Sequence, residues 1–114
     1  MNTPYWSDYK TVEMEDLGVS STTISGNPRV HLKILGAMPD GSGECGIWSC
    51  TPGERTIAFD HDEFCHFLDG EGVYVHEDGE EIPVRAGSMV YFPAGWKGRS
   101  IITKTLSKAF MCRS

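Results

Sequence analysis

The residues with the most chemical potential sit on one short stretch, where Glu63, Cys65 and Phe67 alternate with Phe64, His66 and Leu68. On a β-strand successive side chains point to opposite faces, so the first three share one face and the last three the other. With the first set inward, a carboxylate and a thiol stand inside a closed β structure. A carboxylate there is costly to ionise unless a cation or several donors face it. Glu63 is therefore either a general acid/base or a structural carboxylate tied by hydrogen bonds. Lys97 and Lys108 are the candidate partners. Cys65 could act as a nucleophile, but no histidine is plainly placed to take its proton, and an unpaired cysteine usually packs as a small hydrophobe. Trp48 and Trp96 either stack on a flat ligand or fill the core. Together with Cys65, Phe67 and Lys97, they are the expected lining of a pocket.

Metal chemistry has weak support from spacing. Cys45, Cys50, Cys65 and Cys112 form no C-x-x-C pair, and no histidines stand at zinc-finger spacing. His66 points away from Glu63 by strand alternation, and His76 is expected to be exposed beside a turn. His61, Glu63 and Cys65 are the one grouping that strand parity leaves open. Reduced thiols in a cytoplasmic protein are expected, with a Cys45–Cys50 disulfide the only alternative pairing considered.

The elements that must position these residues are short strands. Residues 1–28 are rich in turn formers, with Pro4, Gly18 and Gly26-Asn27-Pro28, and read as an extended arm that could add an edge strand. Residues 29–114 read as a single domain. Strands are expected at 29–35, 44–50, 55–59, 63–68, 73–75, 82–85, 88–92, 97–103 and 106–112. Asp78-Gly79 marks a tight hairpin turn. Turn signals every 8 to 12 residues, with β-branched and aromatic runs between, predict an all-β sandwich or barrel.

Two segments resemble a known family. Glu63 to Val75, with six residues between Glu63 and Gly70, resembles the second half of the first cupin motif. Gly87-Ser-Met-Val-Tyr-Phe-Pro93-Ala-Gly95, with five residues between Gly87 and Pro93, resembles the second motif. With Trp48, Cys50, Pro52 and Gly53 upstream, the likeness covers about residues 44–112. It is similar to the small single-domain cupins grouped with ethanolamine-utilisation protein Q and the (S)-ureidoglycine aminohydrolase-like proteins. The resemblance implies a double-stranded β-helix, or jelly-roll barrel. It also implies a metal held by three histidines and a glutamate, and here this chain departs. The two strand histidines fall on Phe59 and Ile57, or on Ala58 and Thr56, and the last falls on Gly98. Only Glu63 remains, and one carboxylate holds a transition ion poorly. The expectation is a site with no metal and no cofactor. Related small cupins often carry a basic-aromatic pair where Ser107-Lys108-Ala109-Phe110 stands, which favours Lys108 as the partner of Glu63. They often carry an aromatic residue where Ser100 stands, so the pocket here is expected to be roomier or more polar.

The 114 residues carry a net charge of -6, with no basic face for nucleic acid or anionic membrane. No apolar run is long enough to span a bilayer. Outward Phe64 and Leu68, with Tyr74 on the next strand, predict an apolar sheet face of the kind that pairs two copies into a homodimer. The partners expected are thus a small-molecule ligand and a second copy. Three functions fit these residues: a metal-free enzyme using Glu63 and Lys108 as acid/base pair, a non-catalytic module binding a small polar metabolite, or a dimeric accessory protein of a metabolic operon. Fold does not choose among them.

Overall fold

The alternation of turn residues with β-branched and aromatic runs is realised as nine antiparallel strands in a computed structural model that describes residues 1–113. They are β1 (Glu15–Val19), β2 (Thr23–Gly26), β3 (Arg29–Ala37), β4 (Gly43–Cys50), β5 (Gly53–Ala58), β6 (Asp62–His76), β7 (Glu81–Arg85), β8 (Met89–Phe92) and β9 (Lys97–Arg113). The only helical piece among the described residues is a 3-10 turn at Tyr9–Thr11, capped by the Asp8 side chain. No helix among the described residues is long and apolar enough to cross a membrane.

Two long strands organise the rest. β6 and β9 pair along nearly their full length, from Asp62 opposite Arg113 to His76 opposite Gly98. The sequence pattern broke each into two strands. The structure makes each continuous but bends the ribbon midway, where the register slips between Phe67 and Gly72. Gly70 sits at this bend with φ +92°, and a Cβ there would run into the Thr105 carbonyl and lie 2.7 Å from the Leu106 Cα. Only glycine combines that dihedral with so close an approach of two backbones. On the far side of the bend the partners change. The first half of β6 pairs β8 and the second half pairs β7. The first half of β9 pairs β5 and the second half pairs β4. One ribbon therefore belongs to two facing halves of a curled sheet.

Residues 1–28 do more than supply one edge strand. β1 pairs β3 and β2 pairs β5, so this segment lies on both outer edges of the strand order β1-β3-β4-β9-β5-β2. Between the halves lies a core that includes Cys50, Cys65, Phe67, Tyr74, Phe92 and Leu106, all at 1% exposure or less. The predicted apolar outer face exists, but Tyr74 is not on it. Phe64, Tyr91 and Met111 stand opposite one another across β6, β8 and β9 and are exposed, as is Met89. Tyr74 has the opposite parity from Phe64 because the register slips at the bend, and it turns into the core. All four cysteines are free, so the Cys45–Cys50 disulfide does not form.

If the bend depends on Gly70, Gly70→Ala should lose at least ~2 kcal/mol of stability in urea unfolding, through left-handed strain plus backbone overlap. Gly79→Ala, whose added Cβ meets nothing within 4 Å, should lose about 1 kcal/mol. Equal losses would remove the special role of the bend.

Candidate functional site

Strand alternation sends Glu63, Cys65 and Phe67 of β6 inward, while Phe64 and His66 remain exposed. On β9 the same alternation turns Lys108, Phe110 and Cys112 inward. Lys108 stands opposite Phe67, and its long side chain reaches the carboxylate of Glu63. The Nζ–Oε2 distance is 2.8 Å, with the two side chains only 5% and 11% exposed. The Cys65 thiol donates to the same oxygen at 3.1 Å. Among the described residues no hydrogen bond is made to Glu63 Oε1.

Aromatic rings enclose the ammonium. Trp48, which faces Lys108 across β4 and β9, has its ring 4.6 Å from Nζ, and the rings of Phe59 and Phe67 lie at 5.6 and 6.0 Å. Ring faces attract a cation, the more so where water is excluded. Trp48 also carries the Arg55 guanidinium at 5.0 Å. Glu63, Lys108, Trp48, Arg55 and Phe59 face a cavity of about 430 Å³.

Burial alone would drive the Lys108 ammonium toward its neutral form, but Tyr74, Cys65 and Glu63 around it outweigh that and hold it above the ordinary lysine range. The Cys65 thiol is pushed up to about 12, chiefly by burial. Burial also raises the Tyr74 phenol, against the opposing pull of Lys108 and Arg55. At neutral pH the Glu63 side chain is thus faced by an ammonium and a protonated thiol. Cys65 is a hydrogen-bond donor and a poor nucleophile.

The sequence singled out several residues that the structure places elsewhere. Lys97 is exposed, on the outward parity of β9, where it faces Ala58. Trp96 and Phe67 belong to the core. Trp96 packs edge-on against Phe59, Phe92 and Tyr74, and Phe67 lies behind Lys108 at 0% exposure. His76 is half-buried against the Trp96 ring, centroids 5.2 Å apart, where an exposed residue was expected. His61 lies on the cavity wall but pairs with Asp60 at 2.8 Å. Arg55 and Tyr74 are absent from the sequence reading of the site, and Phe59 entered it only as a position where a metal-ligating histidine would fall. Arg55 shares the alternation of Ile57 on β5 and was legible from it.

The residues do not suit the metal that the cupin fold implies. Ile57 and Phe59 offer no ligand atom. A Cβ at Gly98 would lie 2.9 Å from the Trp96 ring, so no side chain fits there. Glu63 already faces a cation of the protein's own. Among the described residues no three His, Cys, Asp or Glu side chains are grouped to hold an ion.

Two facing halves of curled antiparallel sheet on a shared ribbon, with polar groups gathered inside, define a cupin jelly roll. The EutQ-like cupin domain family matches residues 37–110, and this chain belongs to it. Among solved structures, one similar protein is a DUF861-family protein of unknown function from Pseudomonas syringae pv. tomato str. DC3000. It is 20% identical with a TM-score of 0.81 over 92% of this chain and 46% of that one, so this chain spans less than half its length. The Clostridium difficile EutQ protein is 17% identical with a TM-score of 0.67, covering 85% of this chain and 80% of that one. A predicted oxalate decarboxylase from Thermotoga maritima is 16% identical with a TM-score of 0.69, covering 93% and 96%. At such identities the likeness is one of fold. No curated protein matches the chain.

Removing one partner of a buried ion pair leaves the other charge uncompensated, so Lys108→Met should lose about 3–5 kcal/mol in urea unfolding. Adding Glu63→Gln should restore most of that. A double variant as unstable as the single one would show that the charges are not coupled.

The raised thiol and phenol, with the raised ammonium, set the sign of the alkaline response. Each group keeps its proton to higher pH when folded than when unfolded, so stability is whole below about pH 9, the ordinary thiol value, and falls as pH rises toward 12. Urea midpoints measured from pH 8 to 11 should decline, and less steeply for Cys65→Ala. A flat profile would contradict the assignment.

Proposed function

We propose that this cupin binds a small polar metabolite inside the barrel with its own side chains, using no transition metal, and that Glu63 is its proton acceptor. The observation that carries the reading is the division of labour on the Glu63 carboxylate. Both protein donors bind Oε2, and Oε1 keeps its lone pairs for a ligand in the cavity. Desolvating an ion pair is expensive, and a well-packed apolar pair is often as stable or more so. Such a pair beside an open cavity therefore fits a binding role better than a purely structural one.

In the catalytic form of this reading, an O–H or N–H bond of the ligand breaks, Oε1 receives the proton, and Lys108 stabilises the charge left behind. Lys108 itself stays protonated throughout, which suits an electrostatic role and not that of a base. The same geometry without turnover is a binding module.

A screen of small polar metabolites by thermal shift, followed by NMR detection of product, separates the two. Wild type should bind a ligand that Glu63→Gln binds at least about 10-fold more weakly, the loss of a hydrogen bond to a charged acceptor. Product from wild type and none from Glu63→Gln gives the enzyme, whereas binding without product in either gives the module. A ligand whose affinity ignores Glu63, or the absence of any ligand, would overturn the proposal.

A further inference from the structure

Three side-chain atoms in the interior have no hydrogen-bond partner among the described residues: Arg55 Nε, Ser100 Oγ and Tyr74 OH. They come from one row of the sheet. Arg55 on β5 stands opposite Ser100 on β9, and Ser100 stands opposite Tyr74 on β6. Side chains directly opposite on neighbouring strands lie on the same face and in reach of one another. Here that face is the interior, where Ser100 and Tyr74 are each 1% exposed and Arg55 joins the wall of the Glu63 cavity. Buried polar groups are almost always satisfied, so three orphans in a single row call for a bound group or ordered water to answer them.

Their chemistry is that of donors. A guanidinium only donates, and serine and tyrosine hydroxyls can each donate one hydrogen bond. The charges agree. Lys108 is paired with Glu63, while Arg55 makes no ion pair among the described residues and rests only on Trp48. The half-buried guanidinium thus has no ion-pair partner among the described residues and stands in one row with two buried hydroxyls, with Glu44 on the same cavity wall. Both cations flank the same indole, with Arg55 Cζ 5.0 Å and Lys108 Nζ 4.6 Å from its centre.

We infer that the row Arg55–Ser100–Tyr74 is an anchor for the carboxylate of the ligand. A planar carboxylate matches the fork of the guanidinium, which takes two oxygens side by side. Glu63 repels an anion, so the carboxylate lies toward Arg55 and the hydrogen-bond donor of the ligand lies toward Oε1. The ligand class that satisfies both ends is a small hydroxy- or amino-carboxylate. This inference rests on the proposal that the barrel binds a polar metabolite at Glu63, and it adds which class.

The test titrates the protein with unbranched hydroxy- and amino-carboxylates of two to six carbons, with their methyl esters and with inorganic phosphate. Tryptophan fluorescence and thermal shift report binding. At least one free acid should bind, and its ester should bind at least about 30-fold more weakly. Arg55→Met should cause a similar loss, and Tyr74→Phe and Ser100→Ala each about a 10-fold loss. The melting temperature without ligand should hold or rise in Tyr74→Phe and Ser100→Ala, because each removes an unpaired hydroxyl. A merely structural row, or one filled by water, would show the reverse: lower melting temperatures and unchanged affinity. That outcome overturns the inference, as does binding of phosphate alone. Esters and acids bound equally, with both dependent on Glu63, would also overturn the carboxylate anchor, yet leave the metal-free binding reading standing. Compounds bound independently of Glu63 would overturn both.

Discussion

The interior of this barrel depends on a single contact, the ammonium of Lys108 against the carboxylate of Glu63. Two charges withdrawn from water are tolerable only when each answers the other and their remaining bonding capacity is met. The thiol of Cys65 meets part of the carboxylate's capacity, and three rings meet part of the ammonium's. From this follows the layout of the cavity. Trp48 must lie on Lys108, Phe59 must close the other side, and the face of Glu63 not used by protein is left to the solvent-accessible space.

Beneath that contact lies a matter of geometry. Glu63 and Lys108 are 45 residues apart in sequence, and they meet because β6 and β9 run side by side along one ribbon. The same pairing brings Tyr74 to Ser100. The cavity wall takes Arg55 and Ile57 from beside the first half of β9 and Trp48 and Lys108 from its second half, so it is assembled from both sides of the bend at Gly70. The segment at the start of the chain contributes too: Thr22, which donates to the Thr56 carbonyl at 2.8 Å, faces the same cavity.

Much of this was legible in the residues. The glycines and the proline of the two family-like segments announced the fold, and strict alternation from Glu63 to Phe67 announced which side chains face inward. Lys108 was picked out by its sequence neighbourhood. What escaped the sequence has a physical reason in each case. Tyr74, expected on a separate strand beside Phe64 and Leu68, was put on their outer face, and the register slips that turn it inward leave no mark on residue type. Lys97 stayed a second candidate behind Lys108, since a lysine on a strand end carries no sign of which way it turns. Trp96 was read as possible lining because nothing in a lone tryptophan reveals that its ring will fill the space above Gly98. Arg55 stands two residues before Ile57 on the same strand, so its inward turn follows from the alternation, but an arginine on a short strand more often marks a solvated side chain.

The shared ribbon also governs how the chain can fold. β3 and β4 form a local hairpin, but every strand from β4 to β6 needs β9 for its neighbour, and Glu63 must find Cys112 across a long loop. Closing such loops before any pairing rewards them is slow, on the order of milliseconds to seconds for β topologies of this kind. During synthesis β4, β5 and β6 therefore wait with open edges until residues 97–113 arrive. Unpaired edges are templates for other chains, so the strand that completes the cavity is also the one that covers the inner edges of β4, β5 and β6.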